Sequence, residues 1–264
     1  MSDNTTVPSY KQAAIDAAYH AGAILRQGFG TQFSVSRKGS PHDLVTEYDG
    51  RAEEAIISHL SRLYPSHGFL AEESGVSTHP DAPVKWVIDP LDGTMNYAHH
   101  IPLFCVSIAA VVEEKAVVGV IYNPLLEELF VAERGKGATL NGQRISVSKV
   151  DSIENGVLAT GFPYGHSTLR EKCISQFMNF LEVGNPIRII GSAALTLAYV
   201  ACGRFDIYWG SNLKPWDVAA GTLLIEEAGG KITHFDGSPL DMFLVSNTLA
   251  TNSHLHNEAL RLLK

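Results

Sequence analysis

Apolar residues recur at helical spacing in two stretches near the start of the chain. In residues 9–29 the pattern is built mainly from alanines and ends at two glycines, which are poor helix formers. In residues 46–64 aliphatic side chains again fall on one face, and Thr46 is the expected N-cap. We therefore predict two amphipathic helices, the second of which carries Asp49 in its first turn.

Short apolar runs bounded by turn residues follow these helices. Residues 68–73 and 85–89 are predicted strands that end in acidic residues. Three runs rich in Val, Ile and Phe predict an antiparallel meander of strands at 104–112, 116–122 and 128–133. The second half predicts strands at 157–162, 187–190, 204–209, 231–235 and 242–246, and helices at 168–183, 192–202, 216–228 and 253–263. The sum is a mixed α/β chain with alternating layers and no linker rich in Gly, Ser or Pro.

Composition and charge narrow the classes of function. The chain has 264 residues, 45% of them hydrophobic, and a formal net charge of −8, which argues against nucleic acid or an anionic membrane surface as the main partner. Three cysteines without a CxxC or Cys/His cluster indicate neither a disulfide framework nor a zinc site. Residues 1–7 are polar and no apolar run approaches about 20 residues, so we predict no signal peptide, no membrane span and a cytoplasmic location.

The segment from Trp86 to Thr94 carries the most informative chemistry. An apolar strand ends there in Asp89 and Asp92, and Gly93 and Thr94 follow at once. Carboxylates gathered at a strand end suit hard cations such as Mg²⁺, and backbone N–H groups at a glycine-opened turn suit a phosphate. No Lys or Arg lies within this segment, so metal ions must supply most of the positive charge if a phosphate binds here.

Other acids stand where predicted elements begin or end, namely Asp49, Glu72 and Asp217. Pro90 removes a donor, which leaves the Leu91 carbonyl free to turn inward as an oxygen ligand. Two metal ions about 4 Å apart can clamp the attacking and leaving oxygens of a phosphoryl transfer. The Thr94 hydroxyl can then orient the attacking water, with Asp49 as the carboxylate that receives its proton.

Each of these residues also has a purely structural interpretation. The acid pair of the strand could form a solvated turn with an Asx-type hydrogen bond. Asp49 and Asp217 could be acids that favour a helix start, and Thr94 could be a helix cap. Strand alternation sends Glu72 and Glu73 to opposite faces, and the residues alone do not decide which of the two faces a site.

A set of segments, in their order along the chain, resembles the inositol monophosphatase family. The segments are Asp43–Thr46, Leu70–Ser74, Asp89–Thr94, Thr160–Tyr164, Trp216–Gly221 and Glu227–Gly230. The resemblance implies one domain over residues 1–264, a layered αβαβα sandwich of the sugar-phosphatase type, with a metal and phosphate half of about 1–150 and an α/β half of about 151–264. It also implies a homodimer and Mg²⁺-dependent, Li⁺-sensitive hydrolysis of a phosphate monoester.

The resemblance assigns roles to individual residues. Glu72, Asp89 and the Leu91 carbonyl would bind a first metal ion, and Asp89, Asp92 and Asp217 a second. Glu72, with Asp49 acting through water, would support a third, so two to three Mg²⁺ ions are expected. The expected catalytic residues are Thr94, Asp49 and Glu72. The expected substrate-binding residues are Leu91, Asp92, Gly93, Thr94, Gly191, Ser192, Ala193 and Asp217.

One departure from the family bears on the substrate. Animal members place a Glu that contacts inositol hydroxyls seven residues before the Asp of the Trp-Asp pair, and here that position is Gly210. The contact is therefore missing or supplied by Ser211 or Asn212. We expect myo-inositol 1-phosphate or a related polyol or sugar monophosphate as substrate. Histidinol phosphate, fructose 1,6-bisphosphate and 3′-phosphoadenosine 5′-phosphate are the alternatives.

Two other classes of protein compete with this interpretation. A haloacid-dehalogenase-type phosphatase uses an Asp-x-Asp-Gly-Thr motif with a covalent aspartyl-phosphate, but Pro90 stands two positions before Asp92, and Glu72 would have no role. The second is a binding or regulatory protein that keeps the fold without useful turnover. The intact set of acids argues against lost catalysis.

Overall fold

A computed structural model describes residues 9–38, 43–76, 79–163, 167–184 and 186–264. The polar N-terminal segment and Tyr164, the last residue of the Thr160–Tyr164 segment, lie outside the described residues. None of the helices that the described residues form has both the length and the hydrophobicity that a membrane crossing requires.

The regular elements alternate along the chain in the way that a layered α/β protein requires. The described helices are α1 (Tyr10–Gly28), α2 (Glu47–Leu63), α3 (Thr94–Ala98), α4 (Ser167–Glu182), α5 (Ala193–Ala201), α6 (Pro215–Glu227) and α7 (His256–Leu262). The strands of the first half are β1 (Val35–Arg37), β2 (Leu44–Thr46), β3 (Gly68–Ala71), β4 (Gly75–Val76), β5 (Val84–Asp92), β6 (Cys105–Val112), β7 (Lys115–Asn123), β8 (Glu128–Glu133), β9 (Gly137–Leu140) and β10 (Gln143–Arg144). The second half adds β11 (Leu158–Gly161), β12 (Ile187–Arg188), β13 (Ile207–Leu213), β14 (Lys231–His234) and β15 (Ser246–Thr251).

The elements stack in five layers, as the αβαβα prediction requires. An eight-stranded sheet has the order β10-β9-β8-β7-β6-β5-β3-β4, and a five-stranded sheet has the order β12-β11-β13-β15-β14. Helices α1 and α2 cover the outer face of the larger sheet, while α5 and α6 pack between the two sheets. Helices α4 and α7 cover the outer face of the smaller sheet. The α5–α6 layer is therefore in contact with both sheets.

Side-chain alternation along β5 shows why its sequence is apolar on both faces. Trp86 and Ile88 are buried against the α1–α2 layer, and Val87 between them is buried against the α5–α6 layer. A strand covered on both sides reads as a continuous apolar run. The strand continues through Pro90 to Asp92, three residues beyond the predicted end at Asp89.

The first two predicted helices and the β6-β7-β8 meander are confirmed, and the meander is antiparallel throughout. The predicted strand at 242–246 is wrong, because β15 begins only at Ser246, and Leu244 and Val245 before it are exposed. The true strand is rich in Ser and Thr, and it lies between β13 and β14 with its hydroxyls hydrogen-bonded internally, as in the 2.7 Å contact of Ser246 with Thr248. A search for apolar runs did not find this strand, because most of its side chains are polar.

Close packing of α6 on the larger sheet generates a stability prediction. A Cβ atom at Gly119 of β7 would lie 2.7 Å from the Ala220 carbonyl oxygen of α6. We expect Gly119→Ala to lower the free energy of unfolding by about 1–3 kcal/mol, because α6 must move off the sheet. Gly50→Ala is the matched control, since a Cβ atom there meets nothing within 4 Å on the exposed side of α2. It should stabilise the protein by about 0.5–1 kcal/mol.

Denaturant unfolding of both variants checks this prediction. Equal stabilities for the two variants would mean that α6 tolerates displacement.

Candidate active site

A bulge in β5 brings Asp89 and Asp92 to the same face of the larger sheet. In a regular strand, residues three positions apart point to opposite faces. Here Asp89 pairs with Ser107 and Asp92 pairs with Cys105, so three steps along β5 oppose two along β6. The bulge absorbs the extra residue. Both carboxylates therefore face the α5–α6 layer, against which the Cys105 side chain of β6 also packs.

Asp217 reaches this face because α6 begins there. Its Oδ2 atom accepts a hydrogen bond of 2.7 Å from the Lys214 backbone N–H, and Pro215 occupies the first turn of the helix. The Ser107 hydroxyl donates to the Trp216 carbonyl at 3.2 Å, which joins the start of α6 to β6. Asp217 thus stabilises the start of α6, which is the structural role considered for it above. It also lines the cavity described below.

The start of α5 holds Asp92. Its Oδ2 atom accepts hydrogen bonds of 2.6 Å from the Ser192 hydroxyl and 2.6 Å from the Ala194 backbone N–H. Ser192 is also the N-cap of α5, and a carboxylate at a helix N-terminus is stabilised by the helix dipole. The sequence placed Gly191, Ser192 and Ala193 beside the substrate, and all three line the outer cavity. Their role in orienting Asp92 was not predicted.

A buried carboxylate and a hydroxyl form the second part of the site. Asp49 is fully buried, and its Oδ2 atom accepts hydrogen bonds from the Thr46 N–H (2.8 Å) and hydroxyl (2.6 Å) in a capping box. Its Oδ1 atom lies 3.0 Å from the Thr94 hydroxyl, which also lies 3.1 Å from the Leu91 carbonyl oxygen. Burial raises the pKa of Asp49 to about 6, although the hydrogen bonds from Thr46 oppose the shift. Thr94 is therefore placed between a proton acceptor and the cavity.

Gly93 makes the turn into α3 possible. Its φ is +102°, and a Cβ atom there would lie 3.0 Å from the Leu103 carbonyl oxygen. A residue with a side chain would be strained in this conformation and would also be crowded. The turn brings Gly93 and Thr94 to the wall of the cavity, where the sequence predicted a phosphate contact.

Glu72 and Glu73 are distinguished by their surroundings. Glu72 lines the cavity, whereas the Glu73 N–H donates to the buried Glu53 carboxylate at 2.9 Å. Lys38 bridges the two side chains, with its Nζ atom 3.0 Å from Glu72 Oε1 and 2.5 Å from Glu73 Oε1. Lys38 follows β1, far from either acid in the sequence. Sequence reasoning missed this cation, because no motif marks it.

The predicted site residues other than Asp49 line two adjoining cavities. The inner cavity, of about 130 Å³, is lined by Asp43, Leu44, Glu72, Asp89, Leu91, Asp92, Gly93, Thr94, Met95, Gly191 and Asp217. The outer cavity, of about 630 Å³, shares several of these residues and adds polar ones such as Thr160, Ser211 and Asn212. Asp49 lies behind Thr94 instead of on the wall, and Gly210 does not line either cavity.

The inner cavity concentrates negative charge. Burial, together with the neighbouring carboxylates, raises the pKa values of Asp89 and Asp217 well above their ordinary range. Burial also raises the pKa of Asp92 and, against the effect of Lys38, that of Glu72. An interaction with the Asp89 side chain acts in the opposite direction and lowers the pKa of Glu72. Without a bound cation, the folded chain therefore holds protons in this cavity more tightly than an unfolded chain does.

The donor set fits Mg²⁺. All the candidate ligands are oxygens, from the carboxylates and the Leu91 carbonyl, and these are the atoms that hard cations prefer. Among the described residues, no three Asp, Glu, His or Cys side chains are already grouped as a metal site. The Glu72 carboxylate accepts a hydrogen bond from Lys38, and the Asp92 carboxylate accepts one from Ser192 at the start of α5. Some rotation of Glu72 away from Lys38 would accompany metal binding.

Comparisons with known proteins agree with this geometry. A family model described as the inositol monophosphatase family matches residues 8–264. The chain is 42% identical over 250 residues to an inositol-1-monophosphatase of Synechocystis sp., which covers 95% of this chain and 87% of that protein. It is 42% identical over 241 residues to the Nus factor SuhB of Salmonella typhimurium, which covers 90% of each chain. The crystal structure of extragenic suppressor protein suhB from Bartonella henselae superposes with a TM-score of 0.91 at 42% identity, covering 96% of this chain and 97% of that one.

The raised pKa values predict how Mg²⁺ acts on stability. In the metal-free protein, these carboxyls contribute stability while they are protonated, and this contribution is lost as the pH rises through their raised pKa values. Mg²⁺ binds the ionised form, so added MgCl₂ should raise Tm by about 3 °C or more near pH 8 and much less near pH 5. Calorimetry at the two pH values measures this difference.

Asp217→Asn provides the control for this experiment. It removes one of the like charges, so it should raise the metal-free Tm near neutral pH and reduce the gain from Mg²⁺. An equal Mg²⁺ shift at both pH values, or an unchanged shift in the variant, would contradict the assignment.

Proposed function

The chain belongs to the inositol monophosphatase family and is a metal-dependent phosphomonoesterase, and we propose that it hydrolyses myo-inositol 1-phosphate or a related polyol or sugar monophosphate. One observation carries the proposal. Glu72 after β3, Asp89 and Asp92 of β5, and Asp217 of α6 converge from three parts of the fold on an inner cavity that opens into a larger, partly polar one. In this arrangement, cations bound in the inner cavity can hold a phosphate, and the outer cavity can hold the rest of a small substrate.

We propose two to three Mg²⁺ ions as the cofactor. Glu72, Asp89 and the Leu91 carbonyl would hold the first, and Asp89 with Asp92 and Asp217 the second. The third, held by Glu72 and through water by Asp49, has less support, because Thr46 and Thr94 already occupy the Asp49 oxygens. Bound Mg²⁺ would supply the positive charge that the cavity lacks and polarise the phosphoryl oxygens.

The protein's own groups provide a route for the proton of the attacking water. The Thr94 hydroxyl has one proton and lies within reach of two acceptors, Asp49 and the Leu91 carbonyl. When it donates to Asp49, its lone pairs are free to accept a hydrogen bond from a water in the cavity. That water would be oriented for attack, and its proton would pass through Thr94 to Asp49. A pKa of about 6 for Asp49 suits this transfer near neutral pH.

The two halves of the chain supply different parts of the site, and we propose that residues 1–264 act as one domain. Glu72, Asp89 and Thr94 come from the first half, residues 1–150, while Asp217 and Ser192 come from residues 151–264. The α5–α6 layer supports this proposal, because it packs on both sheets and carries the residues of the second half.

The outer cavity supports a polyol more than a substrate with a second phosphate. Ser211, Asn212 and Thr160 offer hydroxyl and amide groups that hydrogen-bond to polyol hydroxyls. Among the described residues that line this cavity, Lys38 and Lys214 are the cations, and Lys38 is already paired with two glutamates. A second phosphate would therefore meet little uncommitted positive charge.

The similarity to a protein named Nus factor SuhB supports a second candidate function. In that case the fold also serves as a regulatory binding protein. The two functions are compatible, since the acid set is intact in this chain.

A phosphate-release assay tests the proposed function. With MgCl₂ we expect the highest kcat/KM on inositol 1-phosphate within a panel that includes sugar phosphates, histidinol phosphate, fructose 1,6-bisphosphate and 3′-phosphoadenosine 5′-phosphate, and we expect inhibition by Li⁺. Glu72→Gln should lower kcat by about 100-fold or more, because a metal ligand is lost. Glu73→Gln is the matched control and should lower it far less, since Glu73 does not line the cavity.

A much higher kcat/KM on another panel member would remove inositol phosphate as the substrate. Equal losses in the two variants would remove Glu72 as the ligand. No release from any panel member would favour the regulatory function.

We also propose that the protein is a homodimer in the cytoplasm. Helix α4 on the outer layer exposes Ile174, Met178 and Leu181 at 50%, 45% and 44% of their surface, in a stripe at helical spacing. Such a stripe supports a protein contact. We expect Met178→Glu to produce monomers in sedimentation velocity, whereas Leu126→Glu, at an exposed site in the β7–β8 turn, should leave the dimer intact. A monomeric unmodified protein would refute the dimer.

A further inference from the structure

Neighbouring aromatic residues on β13 point to opposite faces of the smaller sheet. Trp209 stacks on Phe180 of α4 in the outer layer, with ring centroids 4.0 Å apart. Tyr208 points the other way, into the α5–α6 layer, and is only 2% exposed. It also lines the outer cavity. The tyrosine therefore combines a buried ring with a position on the substrate cavity.

The Tyr208 hydroxyl has no hydrogen-bond partner among the described residues. Buried tyrosine hydroxyls usually find one. Tyr97 donates to the Leu25 carbonyl at 2.8 Å, and Tyr199 donates to Glu128 at 3.1 Å. The Tyr208 hydroxyl can instead be satisfied by water or by a molecule in the cavity that it lines.

Gly210 keeps the space around this hydroxyl open, and Gly161 lies beside it. Gly161 of β11 and Gly210 of β13 are paired in register. A Cβ atom at Gly210 would lie 2.6 Å from the Tyr208 hydroxyl oxygen, and one at Gly161 would lie 3.8 Å from it. The hydroxyl thus occupies the place that a side chain at position 210 would take.

The electrostatic surroundings keep the Tyr208 hydroxyl a donor. Burial and the nearby carboxylates Asp92 and Asp217 raise the pKa of Tyr208 far above its ordinary value. The same carboxylates line the inner cavity, where the phosphate is proposed to bind. Asp92, Asp217 and Tyr208 all line the outer cavity, so a substrate bound there would be flanked by the two carboxylates and by this hydroxyl.

We propose that Tyr208 is a specificity-determining residue, whose hydroxyl donates a hydrogen bond to a polyol hydroxyl oxygen next to the phosphate ester. The inference rests on the proposed phosphatase function and assigns the polyol contact to a residue outside the predicted site. Substrates that carry a hydroxyl beside the ester would gain this bond. Aryl phosphates without one would leave the Tyr208 hydroxyl unpaired.

The ratio of kcat/KM on inositol 1-phosphate to kcat/KM on p-nitrophenyl phosphate tests the proposal. We expect Tyr208→Phe to lower this ratio by about tenfold, because only the polyol loses a bond. A purely structural role would lower both values together and leave the ratio unchanged. Tyr199→Phe is the matched control, since it removes a hydroxyl from the same hydrophobic cluster, and that hydroxyl bonds to Glu128 outside both cavities.

A second measurement begins with the unmodified enzyme and varies the substrate. Within a series of deoxyinositol phosphates, we expect the removal of one hydroxyl next to the ester to lower kcat/KM on the unmodified enzyme by about tenfold. The same removal should have little effect on Tyr208→Phe. Gly210→Ala should lower the same ratio while Tyr208 is present, because the new methyl group displaces the hydroxyl. It should have a smaller effect in the Tyr208→Phe background.

The outcomes separate this inference from the function on which it rests. An unmodified enzyme that releases no phosphate overturns the proposed function. An active enzyme whose ratio is the same in Tyr208→Phe, with no deoxy position sensitive to that variant, overturns the assignment of Tyr208 alone.

Discussion

Repulsion among carboxylates in one small cavity is the constraint that the rest of the structure accommodates. Charges of one sign in a partly dry site repel strongly, and nothing in the local sequence between Trp86 and Thr94 offsets them. In the folded chain, each of these carboxylates accepts a hydrogen bond from a donor that the fold positions. The start of α5 donates to Asp92, the Lys214 N–H to Asp217, the Leu91 N–H to Asp89 and Lys38 to Glu72. These donors hold the acids in place but leave a net negative charge, which a divalent cation would neutralise.

The middle helical layer makes this arrangement possible. Helices α5 and α6 lie between the sheets, and both begin at the cavity, so each brings a helix start to the carboxylates. Gly119 lets α6 approach the larger sheet closely enough for Asp217 to meet the acids of β5. Packing in the core and the geometry of the site are therefore coupled, since a shift of α6 moves a ligand.

The groups proposed for the reaction and those proposed for specificity lie in different parts of the molecule. The groups proposed for metal binding and proton transfer stand at the ends of buried strands and helices, where the core restrains them. The groups proposed to face the remainder of the substrate, such as Tyr208 and Asn212, lie on β13 and line the wider cavity. Gly210 is part of this second group, although it lines no cavity itself, because it leaves room for the Tyr208 hydroxyl. Under these proposals, changes on β13 would alter the substrate without disturbing the metal ligands.

Local patterns were sufficient for much of this protein. The helical spacing of residues 9–29 and 46–64, the Thr46 cap and the meander could be predicted, because each depends on contacts between residues close in sequence. The order of the acidic segments likewise carried the family resemblance. The strand at Ser246–Thr251 could not be predicted, because its polar side chains are satisfied only by hydrogen bonds formed in the folded sheet.

Only the tertiary structure decided which groups act on the acids. Lys38 meets Glu72 across 34 residues, Ser192 meets Asp92 across 100, and the bulge that brings Asp89 and Asp92 to one face is defined by pairing with β6. The packing of Tyr208 into the α5–α6 layer depends likewise on contacts with residues distant in sequence. The sequence by itself determined the chemistry available, because residue types and local order set the ligands and the caps. The fold decided the partners, because contacts between distant segments have no local signature.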